Sequence, residues 1–457
     1  MIKPFALYKD GRITQVKLLI LGALACCLAI DTSFGMLMDV FYLQNIDLVF
    51  SNLGFVIYTV LYIVYAIGLS VLLNLVRKGE HTPPSPISFL KNLKIANIFA
   101  GYLIFALVSF VVLQMVLTQG YSTFLLVAIA SLGYGIAAVN FLALSTILSR
   151  WFIVDKNKII LIFAVVAAVM LFNAVNSFIF FDSVLILNTE SRITNDAVPE
   201  YRLFLSFDQN QIIALTQSIS VAVYVSLTWI GVVLILKHNI RKIGKALFFL
   251  IVIPPLAAVI NFHISSFSFL YPDNPAILMI TPEAHVQFIL YIISFLVCAA
   301  LFGLGYFSIS KHIENPRLKG YIIITGFGFL LFYISGFATI LNHSFPPYGL
   351  ISLSLVGLSS YLLLIGIYYS AASIAQDTKL RMSLRKALLK DTEFLQSIGN
   401  AEVVQSYQKR VVDIVKKNKD SIVQESGIEP SVTMEDMKSY LEDVMKEIIV
   451  RRNETKP

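Results

Sequence analysis

Charged side chains are scarce in this chain. Asp, Glu, Lys and Arg make up only 14% of its 457 residues, whereas soluble proteins contain about 25%. Whole runs contain none of the four, namely 48–76, 95–149, 159–181, 209–236, 246–272, 284–310 and 320–376. Each run exceeds the ~20 residues that a helix needs to cross the hydrocarbon core of a bilayer. The composition therefore excludes an ordinary soluble domain and indicates a membrane protein.

Cysteines and enzyme signatures are equally scarce. The three cysteines, Cys26, Cys27 and Cys298, all fall in apolar segments, which speaks against a disulfide scaffold or a zinc motif. The sequence has no H-E-x-x-H, no G-x-S-x-G, no Walker loop and no paired carboxylates within an apolar run. These absences disfavour a membrane enzyme, so we predict neither catalytic residues nor a cofactor.

The apolar segments predict an all-α fold with ten membrane-spanning helices. The runs 95–149 and 320–376 are long enough for two spans each, folded at 118–121 and at Pro346 and Pro347. The predicted spans are 18–38, 52–76, 95–117, 121–148, 159–181, 211–236, 246–268, 286–309, 320–341 and 349–373, which together form a membrane domain over 1–373. A helical tail, 374–457, follows.

Basic residues alternate between the two sides of this bundle. They occur before span 1 and in every second connection: Lys3, Lys9, Arg12, Lys17, Arg77, Lys78, Lys91, Lys94, Arg150, Lys156, Lys158, Lys237, Arg241, Lys242, Lys245, Lys311, Arg317 and Lys319. The opposite connections contain only Arg192 and Arg202. Because cytoplasmic loops retain Lys and Arg, both termini are predicted to be cytoplasmic, in a plasma-membrane protein. The net charge of +7 then needs no nucleic-acid partner.

The first span is the weakest because Asp31 interrupts it. Its uninterrupted part, 18–30, has the length of a signal-peptide core, so a cleaved signal is an alternative to a retained span. Asp31 is the only carboxylate within the predicted spans, and a charge near the midplane costs roughly 2.5–3.5 kcal/mol. We consider it a candidate ion or proton site. The alternative is a helix-end aspartate that is hydrated or hydrogen-bonded to a neighbouring helix.

Span 7 contains consecutive prolines, Pro254 and Pro255. Each removes a backbone donor and predicts a kink with unpaired carbonyls, a feature of many transporter binding sites. Asn261 and His263 follow within a few turns and extend this candidate site. A kink that serves only helix packing is the alternative.

Uncharged amides occur in two other spans, at Asn140, Asn173 and Asn176. They must point into the bundle, either along a ligand or ion pathway or as interhelical hydrogen bonds. Small residues four apart predict close helix contacts at Ser131 and Gly135, Gly133 and Ala137, and Ala299 and Gly303.

Three histidines, His263, His285 and His343, fall at the predicted outer ends of spans. They are weak metal candidates, because no two of them share a helical turn. In the long outer connection, 183–187 and 201–207 have the composition of strands and predict a small hairpin.

The tail changes to a soluble composition. The absence of proline from 348 to 398 predicts that span 10 continues as one helix into the cytoplasm. Its first exposed turns carry only basic charges, Lys379, Arg381, Arg385, Lys386 and Lys390, which predicts binding to anionic lipid headgroups. Two further amphipathic helices, 401–418 and 434–450, suggest an interaction module for a protein partner or for homodimerisation.

The stretches GIEPSVTMEDMKSYLEDVMKE (427–447) and SAASIAQDTKLRMSLRKALL (370–389) resemble polytopic membrane proteins of ammonia-oxidising archaea. That group has no assigned activity. The resemblance implies an archaeal plasma membrane and nothing about chemistry.

Two functional classes remain. The first is a sensor or scaffold that acts through the tail, supported by the continuous last helix and the missing catalytic motifs. The second is a transporter for a small solute or ion, supported by Asp31 and the kinked span 7.

Overall fold

Apolar runs of this length fold as helices, because a helix satisfies every backbone polar group within its own segment. The computed structural model describes residues 8–9, 12–13, 15–43, 52–78, 88–118, 120–191, 207–238, 240–270, 282–313, 315–336 and 346–376. Besides helices and turns, these residues form one short ribbon, β1 (Tyr8–Lys9) antiparallel to β2 (Arg12–Ile13).

The helices of the described residues begin with α1 (Gln15–Leu43), α2 (Asn52–Lys78), α3 (Ser88–Thr118), α4 (Thr123–Asp155), α5 (Lys158–Ser191) and α6 (Phe207–His238). They continue with α7 (Ile240–Ile243), α8 (Lys245–Leu270), α9 (Pro282–Ser310), α10 (Pro316–Ser335), α11 (Leu350–Leu353) and α12 (Val356–Gln376).

Local sequence fixes several of the helix ends. Lys156 takes a left-handed conformation (φ 53°) that ends α4. The Asn157 side chain then accepts the Ile159 N–H at 2.8 Å as α5 begins. Asn315 caps α10 by accepting the N–H groups of Arg317 and Leu318 at 2.9 and 3.2 Å, with proline at the first helical position.

Nine segments within the described residues are long and apolar enough to cross a membrane, which makes this a multi-pass membrane protein. They cover nine of the ten predicted spans. The predicted span 7 corresponds to α8, in which the described apolar segment Lys245–Ala257 is shorter.

The spanning helices differ widely in their enclosure by protein. In the apolar part of the segment formed by α11 and α12, 94% of the residues are buried, and in that of α10 83%, whereas in α3 only 22% are buried. Large apolar side chains are exposed on the peripheral helices, among them Leu19 (73%), Phe99 (68%) and Leu117 (73%). This surface suits hydrocarbon, and α10 and α12 form the centre of the bundle.

Small residues bring backbones together at two of the three predicted pairs. The prediction is wrong for Ser131 and Gly135, because a Cβ on Gly135 would meet only the Phe178 ring and no neighbouring backbone. A Cβ built on Gly357 of α12 would lie 3.1 Å from the Gly133 carbonyl oxygen of α4. One built on Gly303 of α9 would lie 3.2 Å from the Gly326 carbonyl oxygen of α10. The predicted close contacts at Gly133 and Gly303 are therefore confirmed.

Two further local predictions are wrong. Residues 183–187 continue α5 as helix, because an apolar aliphatic run suits a membrane helix as well as a strand.

The helix predicted to run unbroken from 349 is interrupted at Ser354 and Leu355. There the Ser354 hydroxyl donates to the Ile351 carbonyl at 2.6 Å, a side-chain bond that competes with regular helix geometry. Residues 377–398 and the remainder of the tail lie outside the described residues.

Candidate functional site

Asp31 is completely buried near the C-terminal end of the α1 spanning segment. One carboxylate oxygen accepts the backbone N–H of Gly349 at 3.0 Å, and the other accepts that of Ser352 at 2.8 Å. Asp31 therefore binds the start of α11. Of the alternatives for this residue, the hydrogen bond to a neighbouring helix is the one observed.

This arrangement is an N-cap supplied by a different helix. Gly349 occupies the N-cap position of α11 and has no side chain with which to accept the free N–H groups of the first turn. Its positive φ of 90° suits glycine. The Asp31 carboxylate replaces the missing cap, and a negative charge at a helix N-terminus is electrostatically favourable.

Two further bonds join α1 to its neighbours at the same level. The Ser352 hydroxyl donates to the Leu28 carbonyl of α1 at 2.9 Å. The Thr32 hydroxyl donates to the Ile334 carbonyl of α10 at 3.2 Å. Asp31 and Thr32 thus connect α1 with both α10 and α11.

Tyr348 fills the space beside this cap. Its ring stacks on Phe34 at 5.3 Å between centroids and meets Tyr58 edge-on at 5.6 Å. Its hydroxyl donates to the Gly54 carbonyl of α2 at 2.8 Å. A Cβ on Gly35 would lie 3.0 Å from the Tyr348 carbonyl oxygen, so glycine at this position permits the close approach.

Tyr58 is itself fully buried, and its hydroxyl has no hydrogen-bond partner among the described residues. Asp31 lies near enough to interact with it electrostatically. A buried hydroxyl without a partner carries a desolvation cost. Tyr58 is therefore a site residue that the sequence analysis missed.

A small void continues the polar region toward the bundle centre. The Ser354 hydroxyl lies 3.0 Å from the Tyr65 hydroxyl. Both residues line a cavity of about 10 Å³, together with Asn97 and Gly357. That volume is close to the lower limit for one water molecule.

Asn140 forms a second polar centre with Asn97. Their side-chain amides bond reciprocally at 2.9 and 3.0 Å. The Asn140 amide nitrogen also lies 3.1 Å from the Gly357 carbonyl and 3.0 Å from the Ser360 hydroxyl. The amide pair thus joins α3, α4 and α12, which is the interhelical hydrogen-bonding role considered for Asn140.

Asn173 and Asn176 do not join that centre through any described bond. Asn173 accepts the Ser220 hydroxyl of α6 at 3.0 Å. The buried Asn176 amide nitrogen has no hydrogen-bond partner among the described residues. A pathway role for this pair stays a prediction.

The prolines of span 7 lie within α8, which continues through both. Pro255 is buried, Pro254 is exposed, and the Trp229 indole donates to the neighbouring Val252 carbonyl at 3.0 Å. A donor from α6 therefore reaches the turn that precedes the prolines. The side chains of Asn261 and His263 are outside the described part, so their place in the candidate site stays a prediction.

The remaining predicted sites cannot be placed. The side chains of His285 and His343 are not among those described, nor are the basic residues Lys379, Arg381, Arg385, Lys386 and Lys390. Within the described residues, no three His, Cys, Asp or Glu side chains are grouped so that they could hold a metal ion.

Comparison with family models, curated proteins and solved structures gives no match. The polar groups of the described residues hold helices together around the buried carboxylate of Asp31. This chemistry suits positioning and conformational control.

Proposed function

We propose that this chain is a non-enzymatic membrane sensor or scaffold that acts through its C-terminal tail. The observation that carries the proposal is the position of α12, because the spanning segment that it forms with α11 has the largest share of buried residues among the described segments, 94%. The last residue of α12, Gln376, lies at the start of the predicted tail, 374–457. At the other end, Asp31 holds the start of α11 through two backbone hydrogen bonds.

In this proposal the protein has ten spans with both termini in the cytoplasm, in a plasma membrane, as the alternation of basic residues indicates. A change at the predicted outer side, near Asp31 and Tyr348, shifts the α11–α12 unit. The shift passes along α12, whose first two turns are supported by contacts of Gly357 and Ser360 with Asn140. The tail responds to the shift by changing its contacts. Its candidate contacts are anionic lipid headgroups and a protein partner or second copy of the chain.

The test is hydrogen–deuterium exchange of the full-length protein in lipid nanodiscs. Asp31→Asn weakens the cap, so exchange in residues 377–457 is expected to change along with exchange near 349–356. Cys26→Ser is the matched control, since Cys26 is exposed on the same helix. A tail with unchanged exchange in Asp31→Asn contradicts the coupling.

Transport of a small solute or ion is the second candidate. The buried carboxylate of Asp31, the unpartnered Tyr58 hydroxyl and the small void beside Tyr65 favour it. That void holds about one water molecule, which is less than a solute pathway requires. Proton or ion flux into proteoliposomes that is lost in Asp31→Asn would make transport the better account.

A further inference from the structure

A groove lies on one side of the bundle between α3, α4 and α5. Its volume is about 410 Å³, within the ~300–1,000 Å³ of typical ligand pockets. The wall from α4 runs from Ala128 through Ser131 and Gly135 to Val139, opposite Leu93 and Phe178. Apart from Asn97 and Ser131, the lining side chains are apolar or glycine.

The groove opens toward the membrane. Three residues that line it expose large parts of their side chains, namely Leu132 (36%), Val139 (47%) and Phe178 (38%). The adjacent wall, α3, is the least enclosed of the described spanning segments. A molecule dissolved in the bilayer can therefore enter the groove sideways.

The dimensions suit a single hydrocarbon chain. From Ala128 to Val139 the groove extends about 16 Å along α4 at 1.5 Å per residue. Dividing the 410 Å³ volume by this length gives a cross-section of about 25 Å². An alkyl chain whose carbon neighbours lie about 4 Å away needs roughly 16–20 Å². A helix about 10–12 Å wide needs roughly 80–110 Å², so it can cover the mouth but cannot fill the floor.

Ser131 supplies a separate indication of a ligand. Ser131 lines the groove, and its hydroxyl oxygen is buried beside it with no hydrogen-bond partner among the described residues. On the same helix, Gly133 faces the other way, against Leu353 of α11. The two small-residue faces of α4 thus differ, one closed by protein and the other open to the membrane.

We propose that this groove is a binding site for one hydrocarbon chain of a membrane lipid. The chain lies along α4 from Ala128 to Val139 against the Phe178 ring. The Ser131 hydroxyl can donate a hydrogen bond to an oxygen of the same lipid. The site is independent of the sensor role proposed for α12.

The test is photolabelling of the full-length protein in phosphatidylcholine vesicles that contain a trace of phosphatidylcholine with a diazirine on one acyl chain. Label is expected to concentrate on 128–139 of α4 and around Phe178, above the level on the exposed face of α2.

The variant Gly135→Leu fills the groove. It is expected to fold, since a Cβ at this position meets only the Phe178 ring, at an ordinary 3.5 Å. Excluding two or more methylenes should lower the labelling about tenfold.

Ala128→Leu fills the opposite end of the groove and is expected to have the same effect. Leu142→Phe is the matched control, because Leu142 is exposed on α4 but does not line the groove, and it should label like the parent protein. Uniform labelling over the lipid-facing surface, or undiminished labelling in both filled variants, overturns the proposal. So does complete disulfide crosslinking of two copies through Leu132→Cys, because a second protein would then cover the mouth.

Discussion

Asp31 and Ser352 are separated by 321 positions in the chain, yet the carboxylate of the first accepts the backbone N–H of the second at 2.8 Å. This bond joins the first spanning helix to the last. The buried Asp31 carboxylate thereby caps the start of α11, which leads into α12. In the proposed mechanism, this bond is the point at which α1 acts on α11.

Asp31→Ala should destabilise the protein strongly. The substitution leaves the N–H groups of Gly349 and Ser352 buried without acceptors, which costs about 2–4 kcal/mol for the two. Asp31→Asn keeps one acceptor oxygen of similar size and should cost about 1–2 kcal/mol. Thermal unfolding of the purified full chain in detergent measures both variants. Equal melting temperatures for Asp31→Ala and the parent would show that the cap contributes nothing.

Gly35 and Gly22 provide a matched pair on α1. A Cβ at Gly35 would lie 3.0 Å from the Tyr348 carbonyl oxygen, whereas a Cβ at Gly22 meets nothing within 4 Å. Gly35→Ala should therefore destabilise by about 1–3 kcal/mol, and Gly22→Ala should stabilise by about 0.5–1 kcal/mol. The same melting experiment compares them. If the two variants shift in the same direction, the close approach of Gly35 to Tyr348 is wrong.

The spanning helices could be predicted from the sequence because the hydrocarbon core disfavours charged side chains throughout a span. Long runs without charged residues correspond to the nine described segments that can cross a membrane. Spacing of small residues located the contacts of Gly133 and Gly303, since four residues make about one helical turn. Both inferences use information that is local in the chain.

The partners in the site could not be predicted in this way. Nothing in the spacing around Asp31 indicates Gly349, because helix order in a bundle follows from packing between distant segments. Asn97 was missed although its amide pairs with Asn140. The only sequence signal was a polar residue inside the uncharged run 95–149, and a single amide near the end of such a run resembles an ordinary helix-end residue.

The orientation of the bundle can be tested with single cysteines. Replacements at Asp47, Asp196 and Asn274 should react with a membrane-impermeant thiol reagent added outside intact cells. Replacements at Lys78, Lys242 and Lys319 should react only after the membrane is opened, because basic connections remain in the cytoplasm. A parent chain with Cys26, Cys27 and Cys298 changed to alanine provides the background. Reversed labelling at two or more positions would overturn the topology.

The amide pair between α3 and α4 predicts a measurable coupling energy. Asn97→Ala and Asn140→Ala each remove both reciprocal bonds, so the second change should cost less once the first is present. Coupling between polar groups in membrane proteins averages about 0.6 kcal/mol and reaches about 1.7 kcal/mol. We expect the upper part of that range, because two bonds connect the same two side chains. Unfolding free energies of both single variants and the double variant give the value.

Asn173 and Ser220, joined by one described bond, form the comparison pair and should couple less strongly. Additive effects at Asn97 and Asn140 would mean that the two amides act independently and that the reciprocal bonds do not couple α3 to α4.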